Sequence, residues 1–195
     1  TLLLGVQVIH LVSVVQRQAT AESSIPWLLS SLLTAGFFYQ ALYQAPKAVW
    51  LNMLIAATSI GVSLGGIVYG HNLAPADVGL AILGLAWGAI AVRIRKQLRS
   101  TTQQPGRNWI LSALADPAAY AVMAAWSTGL LLVALIASLP VAWHLQPGWP
   151  NCSLTFLLVA SGLTAASSVW RSNQPIPFAM ALIPASIGYT IYYYG

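Results

Sequence analysis

Chemistry in this chain has to come from a short roster: 3 Asp+Glu, 3 His, 8 Lys+Arg and one cysteine in 195 residues. His71, Asp77 and His144 fall at the borders of apolar stretches, and imidazoles beside a carboxylate can relay protons or ligate a metal. Their spacing matches no compact ligand motif, so ordinary hydration at a boundary is expected for these three and for Asp116, and no metal site is expected. His10 lies inside an apolar stretch and is the weak candidate for a cofactor, as an axial ligand to haem or chlorophyll; a packed neutral imidazole is the simpler role. The lone Cys152 excludes an intramolecular disulfide and a two-cysteine redox cycle. Asn151-Cys152-Ser153 spells a glycosylation acceptor close to a hydrophobic segment. The sequence carries no glycine-rich nucleotide cradle in a strand-to-helix context and no catalytic serine constellation, and no catalytic residue is assigned.

What remains is a set of uncharged hydrogen-bonding groups inside apolar runs: Thr34, Tyr39, Asn52, Ser59, Thr164, Ser167, Ser168, Tyr189 and Thr190. Facing a bundle interior, such groups line a route for a small neutral solute. Asn52 and Tyr189 lead that reading, with Thr34, Ser59 and Ser167 beside them. Asn52 both donates and accepts hydrogen bonds, and Tyr189 presents a hydroxyl on a ring that excludes bulk. Hydroxyls of Ser and Thr equally satisfy themselves on the backbone of their own helix.

The elements that must position these residues are membrane helices. Charged residues make up only 6% of the chain, against roughly a quarter in soluble domains, and the mean hydropathy is +0.74. Apolar runs occupy 1–15, 25–45, 48–70, 75–94, 117–143, 153–172 and 176–195. Most approach the ~20 residues that carry a helix across ~30 Å of hydrocarbon. Spanning strands would be shorter and would alternate in polarity, which these runs do not. The expected fold is therefore all-α: a polytopic integral membrane bundle of about seven transmembrane segments. The first run, Thr1 to Val15, spans only about 22 Å as helix, so it is expected to lack its start or to lie partly in the interface. A cleaved signal peptide is a poor fit, because no basic region precedes Thr1.

Charge orients the bundle. Arg93, Arg95, Lys96, Arg99 and Arg107 gather around the 95–116 loop, opposed only by Asp116, and that loop is expected to be cytoplasmic. Counting outward places Lys47 and Arg171 on the same side, and Arg17 with Glu22 on the other. Trp27, Trp50, Trp109, Trp143, Trp149 and Trp170 lie near segment ends, where amphipathic rings favour the membrane interface. The basic loop is a generic contact for anionic membrane lipids and implies no nucleic-acid partner.

Short echoes suggest duplication. Leu33-Thr34-Ala35 returns as Leu163-Thr164-Ala165, Gln44-Ala45-Pro46 is echoed by Gln174-Pro175, and Ser59-Ile60-Gly61 by Ser186-Ile187-Gly188. Halves 1–70 and 117–195, joined by segment 75–94 and loop 95–116, would then be parallel repeats in a three-plus-one-plus-three plan, one way to build a transporter. On these motifs the chain resembles the small sugar transporters and other proteins of that helix plan. The resemblance implies two three-helix halves around a linker helix and a central solute site. The proline-glutamine pair of that family is replaced here by Gln44-Ala45-Pro46 and Gln174-Pro175, which follow the second helix of each half, so no functional residue carries over.

Packing signals accompany the plan. Gly61-Val62-Ser63-Leu64-Gly65 and Gly84-Leu85-Ala86-Trp87-Gly88 place glycines on one helix face and invite close backbone approach, within the chain or between copies of it. Pro140 and Pro184 lie inside apolar segments and are expected to bend them. Three functions fit. A small-solute transporter leads, followed by a non-catalytic subunit or assembly factor of a membrane complex, and then by a membrane enzyme or cofactor-binding protein. The partners implied are membrane lipids and either a second copy or a larger membrane complex.

Overall fold

The computed structural model describes residues 5–9, 24–45, 47–70, 74–100, 117–143, 152–170 and 173–194, and no strand occurs among them. The helices are α1 (5–9), α2 (Ile25–Gln44), α3 (Ala48–Gly70), α4 (Ala74–Ser100), α5 (Pro117–Trp143), α6 (Cys152–Trp170) and α7 (Pro175–Tyr194). Prolines open four of them: Pro26 lies in the first turn of α2 and Pro75 in that of α4, Pro117 begins α5 and Pro175 begins α7. At such positions the missing amide costs nothing and the fixed φ already suits a helix. The α2–α3 turn is equally local. Ala45 turns extended while its amide still donates to the Ala41 carbonyl, and the Lys47 carbonyl then accepts from the amide of Trp50 at 3.0 Å.

Five of the helices are long and apolar enough to cross a membrane, over Ile25–Gln44, Ala48–Tyr69, Ala76–Arg93, Tyr120–Leu139 and Pro175–Tyr194. The 19-residue α6 is apolar over Cys152–Ser167, and that length of helix measures about 28 Å. Side chains such as Leu33, Phe178 and Ile191 stand exposed on the outside of the bundle, where lipid solvates them. The protein is a multi-pass integral membrane protein.

Segment limits follow the expected ones closely except in α4. The run expected to end at 94 continues as helix to Ser100, so Arg95, Lys96 and Arg99 sit on the last turns of a helix and not in a loop. Arg-Ile-Arg-Lys-Gln-Leu-Arg ends the hydropathy signal but contains only helix-compatible residues, and cations suit a helix C-terminus. His10, Arg17, Glu22, Pro46, His71, Arg107, Trp109, Asp116, His144, Trp149 and Arg171 lie outside the described residues, as does the rest of the 1–15 segment and of the 95–116 loop.

Contacts between named residues fix the direction of each helix. Ser31 meets Ala57, Gly66 meets Ala76, Gly84 meets Ser127, Ser138 meets Cys152 and Ser153 meets Ser186, so each consecutive pair from α2 to α7 is antiparallel. Asp77 and Leu85 of α4 meet Cys152 and Gly162 of α6 in the same order, which makes those two parallel. Hence α2, α4 and α6 run one way and α3, α5 and α7 the other, the relation that parallel halves require. Helix α4 is central, packed on α3, α5 and α6; α2 packs chiefly on α3, and α7 chiefly on α6.

In lipid, burying apolar surface gives helices little reason to associate, and close packing replaces that drive. Ile55, Leu64, Ile67, Met123 and Val159 fill the centre. The tightest approach is between α3 and α4, where a Cβ on Gly66 would lie 2.5 Å from the Cβ of Ala76 and 2.6 Å from its amide nitrogen. Only glycine fits there, and it draws the end of α3 across the start of α4. The two glycine pairs evident in the sequence also pack within the chain: Gly61 and Gly65 face Ser31 and Leu28 of α2, and Gly84 and Gly88 face Ser127 of α5.

Candidate functional site

Two features are built from α4, α5 and α6: a half-open cavity, along which Ala89, Val92, Arg93 and Ala165 are exposed, and an enclosed side-chain cluster. The first is a cavity of about 560 Å³, within the range of small-molecule sites. Small residues make its space: Gly88, Ala89 and Ala91 from α4, Ala124 from α5, Gly162, Ala165 and Ala166 from α6. Exposed Arg93 and half-buried Tyr120 mark one end of it, the end where α4 finishes and α5 starts. Two wall hydroxyls have already committed their protons. Ser127 donates to the Gly84 carbonyl at 2.7 Å, and Thr128 donates to the Ala124 carbonyl at 3.0 Å. Their lone pairs remain, so among the described residues the wall is apolar with hydrogen-bond acceptors in its middle and the Arg93 cation at its edge.

The second feature lies at the opposite end of the same helices. Asp77, in the first turn of α4, is 0% exposed. Its Oδ1 accepts the Val78 amide, and its Oδ2 faces the Cys152 thiol of α6 at 4.0 Å. That thiol also lies 4.0 Å from the Ser138 carbonyl of α5 and is hydrogen-bonded to the Tyr189 hydroxyl of α7. Tyr189 stacks on Tyr193, and one turn before it Ser186 donates to the Ser153 carbonyl at 2.8 Å. Four helices therefore meet around the Cys152 thiol, with the Asp77 carboxylate beside it. The expectation that Asp77 is hydrated at a boundary is corrected: the Gly66–Ala76 approach covers the start of α4, and the carboxylate is enclosed by its neighbours. A helix N-terminus is the favourable end for such a charge.

Between the two features the helices are sealed. Ala81 of α4, Ala134 of α5 and Val159 of α6 lie along the chain between the two levels, and all three are fully buried. From Leu131, at the upper wall of the cavity, to Ser138 in the carboxylate cluster is about 10 Å of helix.

The residues proposed to line a solute route are not gathered at one place. Asn52 of α3 accepts the Trp126 indole N–H of α5 at 2.8 Å. Tyr189 belongs to the carboxylate cluster, and from Trp126 to Ser138 is about 18 Å along α5. Thr34 donates to the Ser30 carbonyl, Ser59 to that of Ile55 and Ser167 to that of Thr164, all on their own helices. None of these five lines the cavity. His10 lies outside the described residues, and no group of three or more His, Cys, Asp or Glu occurs among those that are described.

The cavity residues carried only a faint signal, the Gly84–Gly88 spacing, which equally reads as packing. Asp77 carried a better one: it is the one acid of the apolar run 75–94, at its border, and acids in such segments are rare. Comparison with protein-family models, with curated proteins and with solved structures finds no match.

Proposed function

We propose that this protein is a carrier for a small neutral or weakly polar solute, in the form whose binding cavity reaches the basic, cytoplasmic end and whose outer end is closed. One observation carries the reading: a single set of three helices holds a cavity at one level and, about two helical turns further on, a sealed layer capped by hydrogen-bonded side chains. A carrier exposes one site to the two sides in turn, so one end has to be closed while the other is reachable. The parallel directions of α2 and α6 and the α2–α3 and α6–α7 hairpins either side of α4 agree with a three-plus-one-plus-three plan. The solute class follows from the wall, which offers apolar surface and the acceptor lone pairs of Ser127 and Thr128. The cation side of Arg93 in the cytoplasm accords with the basic excess of the 93–107 region.

Purified protein in liposomes, screened against labelled sugars, polyols, amino-acid amides and nucleosides, tests this directly. At least one protein-dependent flux is expected, lost in Ala124→Phe, which fills the cavity while insertion and thermal stability are kept. Flux for none of them, or flux untouched by a filled cavity, would reject the assignment. The second reading, a subunit of a membrane complex, draws on α7. That helix buries only Ala179, Ser186 and Tyr189 and leaves Phe178, Met180 and Ile191 exposed. Recovery of a stoichiometric partner from native membranes, in a protein without flux, would favour it.

A further inference from the structure

We infer that the open side of the cavity is a lipid site: an anionic phospholipid of the leaflet at the basic end lays one acyl chain along Ala89, Val92 and Ala165 and sets its phosphate on Arg93. The inference goes beyond the carrier reading, because it concerns the exposed lip of the cavity and not the deep wall offered to a solute.

The lip arises where the seam between α4 and α6 stops being filled. At Gly162 an added Cβ would lie 2.5 Å from a Leu131 methyl and 3.0 Å from a Leu85 methyl, so α6 is tight against α4 and α5 at that level. About one turn nearer the basic end, Ala165 of α6 and Ala89 of α4 both line the cavity and are both exposed. Their side chains are too short to close the seam. Ala89 and Val92 lie inside the membrane-crossing stretch Ala76–Arg93, so the seam opens on hydrocarbon. A gap with atoms on one side only forfeits dispersion contacts, and in a bilayer the group at hand to restore them is a lipid chain. Ser127 and Thr128 have spent their hydroxyl protons on backbone carbonyls, so neither leaves an unsatisfied donor beneath that chain.

The order of groups along α4 matches the order of groups in a lipid. Leu85, Gly88, Ala89, Val92 and Arg93 line the cavity and follow the i+3 and i+4 spacing of one helix face. From Leu85 to Arg93 is about 12 Å of helix, most of the half that one leaflet contributes to a hydrocarbon core of ~30 Å. The apolar series then ends in a guanidinium at the last residue of the crossing stretch, where head groups begin. Guanidinium meets phosphate through paired, charge-assisted hydrogen bonds. The charge of this end is complementary to an anionic lipid whichever residues Arg93 itself faces: the sequence sets Arg93, Arg95, Lys96, Arg99 and Arg107 against the single acid Asp116. Basic pockets between membrane helices on the cytoplasmic side attract such head groups.

A phosphatidylglycerol with a photoactivatable diazirine in its acyl chain, mixed into phosphatidylcholine nanodiscs, tests the placement. Cross-links are expected to concentrate on peptides containing Ala89, Val92 and Ala165 over those containing Leu33 and Phe178, which are more exposed than Val92. Native mass spectrometry of protein released from the nanodiscs should show phosphatidylglycerol retained in preference to phosphatidylcholine. Arg93→Gln should lower that preference about tenfold, the loss of one charge-assisted hydrogen bond. Arg95→Gln, which removes the same charge off the cavity series, should change it far less. Ala89→Phe, made at an exposed position that folding tolerates, fills the lip and should abolish the concentrated cross-links with Arg93 intact. Cross-links spread evenly over the exposed helix faces overturn the site, and so do equal losses in Arg93→Gln and Arg95→Gln, which belong to a merely basic end. Both measurements are made without a transported solute. Absence of all flux would therefore sink the carrier reading alone, whereas even cross-linking in a protein that carries solute would sink the lipid site alone.

Discussion

Ser127 of α5 donates its hydroxyl to the Gly84 carbonyl of α4 at 2.7 Å, and one turn further along α4 the same hydroxyl sits where a Cβ on Gly88 would come within 2.6 Å. A side chain and two glycines thereby set how close the two most extensively packed helices approach.

Gly88→Ala should therefore push α5 away and lower stability by about 1–3 kcal/mol, as overpacking does. In the double variant Gly88→Ala/Ser127→Ala the obstructing oxygen is gone, and the cost should be less than the sum of the two single changes. Thermal unfolding of all four proteins in one detergent measures the coupling. Strict additivity would show that the contact does not set the spacing.

Asn52 and Trp126 form a second interhelical bond, at 2.8 Å between α3 and α5. Asn52→Leu leaves a half-buried indole N–H without its acceptor and should cost about 1–3 kcal/mol. Asn52→Leu combined with Trp126→Phe removes donor and acceptor together and should recover part of that loss. A flux that falls in proportion to folded protein fits a packing bond, whereas a flux lost at full stability would make Asn52 part of the solute route.

Topology is checked at the end of α4. In a Cys152→Ser background, Ser100→Cys should resist a membrane-impermeant maleimide in intact right-side-out cells and react after permeabilisation, if the cluster of Arg93, Arg95, Lys96 and Arg99 orients that end as the positive-inside rule expects. Prompt labelling of intact cells would invert the orientation, and with it which end of the bundle is called outer.

Separating the chain between Gln104 and Pro105 should give two fragments that co-insert and co-purify, since α4 and α5 meet through contacts independent of the linker between them. A Cβ at position 84 would already lie 3.0 Å from the Ser127 carbonyl oxygen. Gly84→Leu drives a branched side chain into that contact and should abolish the recovery. Equal recovery with Gly84→Leu would place the holding contacts elsewhere.

The limits of α3 and α5 were legible in the sequence because Lys47 and Pro117 punctuate long apolar runs, and the end of α4 was not, because its basic turns stop the hydropathy signal without stopping the helix. Asp77 read as a hydrated acid at the border of an apolar run, because its burial depends on Gly66 meeting Ala76, a contact between two unremarkable residues on different helices. The cavity was hidden for a related reason. Gly88 reads in the sequence as a site of close packing and Ala124 and Gly162 carry no signal at all, and only the relative placement of α4, α5 and α6 decides whether such small residues close a gap or leave one. Asn52 stands out as a polar group in an apolar setting, but its acceptor role toward Trp126, 74 residues away, had no local mark.

The cavity's dependence on α4, α5 and α6 also says something about how the molecule is made. The α2–α3 hairpin can pair as soon as both helices have entered the bilayer, but the third wall of the cavity arrives only with α6, late in synthesis. Until then the glycine and alanine faces of α4 and α5 border lipid, and the Asp77 carboxylate is without the Cys152 thiol of α6. Substitutions in Cys152, Gly162 or Ala165 should thus betray themselves first as poor yield and rapid turnover of newly inserted chains, before any defect appears in the protein that survives to be purified.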